Sequence, residues 1–208
     1  WEYDDSEDKL INYDAILSTF ENDTIAGGDG YITADIARYG KDKTVIMLWN
    51  GLRVERIVTM ASNSITEAAK SIKDMQITYG IKLSNIIVDE DGIGGGCKDI
   101  LRCRGFVNNS KALKNENYAN LKTQCYYKLA DAINRSSIYI QTEDIKVQNM
   151  IVQELEQVRR KNFDKDAKVQ MIGKDDVKTA IGRSPDYSDA LMMRLWFEIK
   201  SDGKYYVQ

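Results

Sequence analysis

The sequence predicts an α/β domain: a mixed sheet with an antiparallel three-strand meander plus parallel strands, flanked by helices. Two observations lead there. Three short β-branched and aromatic runs follow one another from residue 31 to residue 59, with Gly40 and Asn50-Gly51 as the turns between them. After residue 64 the pattern changes to helical spacing, broken by the run Ser84-Asn-Ile-Ile-Val-Asp89, which is apolar on both faces and suits a buried parallel strand. With 208 residues, 43% hydrophobic and 29% charged, the chain can bury a core of its own.

Taken in order, residues 1–10 are acidic and polar and are expected to form a flexible lead-in. Asn12 can cap a short helix with Tyr13, Ile16, Leu17 and Phe20 on one face. Residues 1–28 read as a linker tail, ending near Gly27-Gly28, and residues 29–208 as the domain proper. Strands are expected over 31–38, 43–49 and 52–59. Ser64-Ile-Thr-Glu67 is a capping box for a helix with Ile65, Ala68, Ile72, Met75 and Tyr79 inward and Gly80 as its C′ residue. After the buried strand, a glycine-rich turn leads into a helix through about residue 103, and Phe106–Val107 reads as one more strand. A helix is expected over 118–135, a short strand over 137–140, a helix capped by Thr142, a strand over 168–172 and a last helix from Ser184-Pro185.

Composition removes several chemistries. The chain has no His, which excludes Ser-His-Asp and Cys-His catalysis and His-ligated zinc. Cys97, Cys103 and Cys125 have no CxxC spacing and read as core thiols. No apolar run approaches the ~20 residues that span a bilayer. The start at Trp1 suggests a piece of a longer chain. With 32 acidic residues and a net charge of −3, any catalysis is expected to run on carboxylates.

Three positions converge carboxylates. Asp35 lies inside the first strand, Asp89 closes the buried strand, and Asp189 falls in the first turn of the last helix with Asp186 one turn away. Strand interiors disfavour Asp, and parallel strands present ligands at their carboxyl ends. An Asp at a helix start can also be a simple cap. Converging carboxylates raise one another's pKa unless a cation neutralises them, and hard oxygen ligands select Mg²⁺ or Mn²⁺. No GxxxxGK[ST] occurs, so there is no Walker-type site, and the glycines from 92 to 96 read more naturally as a tight turn than as a phosphate cradle. Arg38, Lys174 and Arg183 flank the acidic positions and are the candidates for phosphate contacts.

With these residues in view, the chain resembles the C-terminal nuclease domain of phage terminase large subunits, the DNA-packaging motors. The resemblance is carried by Thr33-Ala-Asp-Ile-Ala-Arg-Tyr-Gly-Lys-Asp-Lys-Thr44, Ile87-Val-Asp-Glu-Asp-Gly-Ile-Gly-Gly95, Tyr118-Ala-Asn-Leu-Lys-Thr-Gln124 and Gly182-Arg-Ser-Pro-Asp-Tyr-Ser-Asp-Ala-Leu191. It implies a ribonuclease-H-like fold and a two-metal endonuclease, using Mg²⁺ or Mn²⁺, that cuts concatemeric viral DNA. The family's three aspartates fall on Asp35, Asp89 and Asp189, with Asp42 and Asp186 as secondary metal candidates. Asp35 would bridge two ions, Asp89 holding one and Asp189 the other. The partners implied are double-stranded DNA, a motor ATPase domain N-terminal in the same chain, the portal and the small terminase subunit, in the host cytoplasm and away from membranes. Other readings stay open from the residues alone: a Holliday-junction-resolvase-like nuclease, an actin-like ATPase core, and a catalytically silent docking domain.

Overall fold

The computed structural model describes residues 8–37, 42–91, 94–161 and 167–201. Six strands form one sheet in the order β5-β4-β1-β2-β3-β6. Strands β1 (Gly30–Asp35), β2 (Lys43–Asn50) and β3 (Arg53–Ala61) are the antiparallel meander. Strand β4 (Ile86–Asp89) runs parallel to β1, β5 (Arg104–Phe106) parallel to β4, and β6 (Tyr139–Ile140) parallel to β3. The central strands are buried on both faces, so their sequences are continuous apolar runs rather than alternating ones. The first strand ends at Asp35, earlier than its sequence suggests, and residues 38–41 lie outside the described residues.

Helices cover both faces. Helices α2 (Ile65–Thr78) and α3 (Gly94–Leu101) pack on one, with Ile32, Ala34, Ile46, Leu48, Ile86 and Val88. The expected capping box is present, Ser64 Oγ accepting from the Glu67 amide and Glu67 answering to the Ser64 amide, and Gly80 at φ +65° ends the helix region. Tyr79, expected inward, is exposed, because it is the residue on which α2 has already stopped.

The opposite face carries α1 (Tyr13–Ser18), α4 (Leu121–Asn134), α5 (Ile145–Leu155) and α7 (Asp186–Lys200). Helix α7 lies against β1 and β2 with α4 and α5 against it, and it is buried almost all the way round. Ile11 and Ile16 belong to the same core, and the Leu10 amide donates to the Val158 carbonyl. Helix α6 (Lys174–Ile181) was not apparent from the sequence; only Val177 of it is buried, so no apolar stripe announces it. The strand expected over 168–172 is reduced to isolated bridges at Val169 and Met171. Tyr118 precedes α4, which Asn120 caps, and α5 is capped by Asp144 instead of Thr142, whose hydroxyl accepts from the Asp144 amide.

Candidate active site

Strand parity puts two of the three aspartates on one face. Tyr31 and Ile87 pack on the α7 side of the sheet, so the residues an even number of steps on, Asp35 and Asp89, point to that side too. The β1–β4 register pairs Thr33 with Ile87 and Ala34 with Val88, which makes Asp35 and Asp89 the next neighbours on adjacent strands. Strands lie ~4.8 Å apart, so the two carboxylates leave the sheet edge side by side. Asp189, in the first turn of α7, meets them from above: it is among the charges that perturb both.

The three are held very differently. Asp189 is 1% exposed and saturated with donors: Lys122 Nζ at 2.7 Å and Tyr126 Oη at 2.7 Å reach Oδ1, and Lys174 Nζ at 3.1 Å reaches Oδ2. Burial works against its charge, but the two ammonium groups win and hold its carboxyl down at about 2. Asp89 accepts from the Asp91 amide at 3.0 Å and from Asn108 Nδ2 at 3.2 Å; burial still raises its pKa, with Asp189 adding to the rise. Asp35 is buried, and among the described residues nothing donates to its carboxylate. Burial first, then the charge of Asp189, push it well above the usual carboxylate range, with Asp89 and Asp186 adding and Lys174 opposing.

The secondary candidates separate. Asp186 is buried, accepts from the Lys43 amide at 2.8 Å and is raised to about 6, chiefly by burial. Asp42 is 41% exposed at its side chain and pairs with Lys178 at 3.3 Å. Of the basic candidates, Lys174 lies on the site. Arg183 turns inward, its guanidinium bonded to Glu154 and to the Met150 carbonyl, and Arg38 lies outside the described residues. The cysteines offer no nucleophile: burial pushes Cys97 up to about 12 and Cys103 to about 11.

Among the described residues no three Cys, Asp or Glu side chains close round one point as the ligands of an ion. The chemistry of the donor set nonetheless fits a hard divalent cation. Asp35 is a buried carboxyl group without a hydrogen-bond donor among the described residues, beside three more carboxylates, and its ionised form is costly unless a cation compensates it. The glycine-rich turn serves the backbone: a Cβ on Gly94 would lie 1.5 Å from the Asp89 carbonyl oxygen, so only glycine lets α3 start so close to the end of β4.

By sequence, no family model and no curated protein matches the chain. By structure, it is similar to the nuclease domain of the large terminase subunit of bacterial virus Sf6, at a TM-score of 0.78 and 21% identity over 90% of this chain and 98% of that one. The magnesium-bound large terminase nuclease of thermophilic phage G20c superposes at a TM-score of 0.59 and 12% identity, covering 91% of this chain and 97% of that one. The nuclease domain of Thermus phage P74-26 gives 0.57 at 13% identity, covering 90% and 94%. The chain has the fold of the phage large-terminase nucleases.

Within that terminase-nuclease fold, four residues at the site were not singled out by sequence: Lys122, Tyr126, Glu154 and Asn108. Lys122 and Tyr126 are one turn apart on α4, at the helical spacing that puts both on one face. Glu154 had a readable signal, being a charged residue on the apolar face that holds Ile151, Leu155 and Val158. Asn108 lies in an irregular segment, where no periodicity marks it.

Proposed function

We propose that this chain is a metal-dependent DNA endonuclease that cleaves concatemeric viral DNA during genome packaging, by two-metal phosphodiester hydrolysis. The observation that carries the reading is Asp35, a buried carboxylate with no donor among the described residues, facing Asp89, Asp186 and Asp189 on the terminase-nuclease fold. Asp35, Asp89 and Asp189 would hold Mg²⁺ or Mn²⁺, with Asp186 in reserve. Bound there, two such ions would activate a water and stabilise the leaving 3′ oxygen of an in-line displacement. The solved nucleases of similar fold include ones with manganese and with magnesium.

The protein's own groups do the remaining work. Lys122 and Lys174 keep Asp189 ionised at every working pH and put two ammonium groups beside the place where phosphate charge must be received. Asn108 and the Asp91 amide fix the rotation of the Asp89 carboxylate. Lys174 is the phosphate contact that the geometry supports most directly; Arg38 and Arg183 remain candidates from sequence. On this reading residues 1–28 lead in from a motor ATPase domain, Asp42 is a secondary metal candidate that pairs with Lys178, and portal and small subunit act on the enzyme in the host cytoplasm.

Plasmid nicking and linearisation, run with Mn²⁺, Mg²⁺ or EDTA beside Asp35→Asn, tests the proposal. Expected is metal-dependent cutting that falls at least ~100-fold in the variant, with its circular dichroism unchanged. Full activity of a folded Asp35→Asn protein would refute it.

A further inference from the structure

Helix α7 begins without a cap of its own. Pro185 occupies the N-cap position and makes no side-chain hydrogen bond. The amide of Ser188, one of the orphan donors of that first turn, is instead satisfied from another helix: Glu154 Oε2 on α5 accepts it at 2.7 Å. Glu154 is 1% exposed, and Arg183 is its only cationic partner among the described residues. Ser188 Oγ lies 2.9 Å from Tyr126 Oη, and Tyr126 Oη donates to Asp189 Oδ1 at 2.7 Å. A phenol has one proton. With that proton directed at Asp189, the tyrosine oxygen can only accept from Ser188 Oγ, whose single proton is shared between Tyr126 at 2.9 Å and the Pro185 carbonyl at 3.2 Å.

We propose that Tyr126 and Glu154 are positioning residues that fix the carboxylate of Asp189 for metal binding, Glu154 by pinning the first turn of α7 and Tyr126 by locking the carboxylate's rotation. This rests on the nuclease reading above. Tyr126 and Lys122 fill both lone pairs of Oδ1, so Oδ2, which among the described residues meets only Lys174, is the oxygen left with an open lone pair. A buried glutamate and a buried phenol are an expensive way to pack three helices together, since apolar side chains of like size would do so at lower cost. Their expense is explained by what the chain of bonds ends on. Partners that orient a metal ligand commonly change metal affinity 10- to 100-fold when removed.

Calorimetric titration of the 208-residue chain with Mn²⁺ decides the matter, comparing wild type with Tyr126→Phe and Glu154→Leu. Ile72→Val, in the core on the other face of the sheet, serves as the control for lost stability. Urea midpoints are measured in EDTA for all four. Tyr126→Phe is expected to weaken Mn²⁺ binding ~10-fold or more. The control should lower the urea midpoint and leave Mn²⁺ binding unchanged. Mn²⁺ affinity within twofold of wild type in Tyr126→Phe would overturn the inference alone, whether or not Glu154→Leu folds. Wild-type protein that takes up no Mn²⁺ would overturn the nuclease reading and this inference with it.

Discussion

Helix α7 buries charge at both ends, and the two ends handle it in opposite ways. Five residues beyond Asp189, Arg194 is fully buried with its NH1 2.7 Å from Glu198 Oε1 on the same helix. Its Nε donates to the Gly51 carbonyl, and its guanidinium stacks 3.8 Å from the Tyr31 ring centre. One cation meets one anion there, so the charges cancel, although Arg194 NH2 and Glu198 Oε2 stay buried without a hydrogen-bond partner among the described residues. At the other end Asp189 draws two lysines from α4 and α6, while Asp35 beneath it has no donor among the described residues. The comparison teaches that burial alone does not mark a site. What distinguishes the functional end is charge left unbalanced after every available partner has been used.

The largest expected consequence of that imbalance is a dependence of stability on pH. Burial raises Asp186 to about 6 and Glu154 to about 7. A carboxyl whose pKa is higher in the folded chain than in the unfolded one holds its proton more tightly when folded. Well below pH 3.8 both states are protonated and the penalty is absent; stability falls as pH rises from the ordinary values of 3.8 and 4.5, where the unfolded chain ionises, and levels off above about 6 and about 7. Asp35 and Asp89, also raised, act in the same direction. Asp189 runs the other way, but its window lies between its ordinary value and about 2 and does not overlap. Urea denaturation in EDTA should show a loss on the order of 5 kcal/mol between pH 4.5 and 8. Mn²⁺ at saturation should flatten the part of that slope carried by Asp35, Asp89 and Asp186, and a flat profile in EDTA would mean the acidic end is as balanced as the Arg194–Glu198 end.

Breaking the Arg194–Glu198 pair comes next. Arg194→Met strands Glu198 in the core and removes the donor to Gly51, and it should cost about 3–5 kcal/mol by urea denaturation. Mn²⁺ affinity of the folded variant should stay at the wild-type value, because the pair makes no contact with the acidic end. A change in affinity would show that the two ends of α7 are one system.

The sheet and two of the three aspartates were legible because a strand reports its faces every second residue. Once Tyr31 and Ile87 are placed in the core, Asp35 and Asp89 follow by counting. Asp189 was legible from its place at a helix start. Its surroundings were not. Tyr126 and Glu154 stand 63 and 34 residues away from the groups they bond, on helices whose periodicity says which face is inward but not which polar group it meets there. Lys122 lies within Tyr118–Gln124, with nothing in the sequence to aim its ammonium at Asp189. Arg183 flanks the aspartates in sequence, and it bonds Glu154 and the Met150 carbonyl instead of any of them, because Glu154 offers it a buried carboxylate. Helix α6, with a single buried residue, shows the same limit: an element held by polar contacts leaves no apolar stripe to read.

Asp35→Asn is expected to separate stability from function with an opposite sign. Replacing the unpartnered carboxylate by a neutral amide of the same size should stabilise the chain in EDTA at pH 8 by about 1–3 kcal/mol while abolishing cleavage. Urea midpoints and plasmid cutting on the same preparation read both quantities. A variant destabilised like Arg194→Met would show that Asp35 is already compensated and would remove the main reason for placing a metal there.

The smallest effect tests the Arg194–Glu198 pair as a unit. Arg194→Met/Glu198→Leu removes both charges together, so no ion is left behind in the core. A buried ion pair replaced by apolar side chains is often close to neutral. Here one debt remains, since the Gly51 carbonyl loses the Arg194 donor and stays buried at the β2–β3 turn. The double variant should therefore lie about 1–2 kcal/mol below wild type by urea denaturation, well above Arg194→Met alone. No such repair is available at the other end of α7. Neutralising Asp189 and Lys122 together would also lower buried charge, yet it would remove a carboxylate that the proposed chemistry needs. If the double variant is as unstable as the single one, Arg194 owes its place to Tyr31 and Gly51 more than to Glu198.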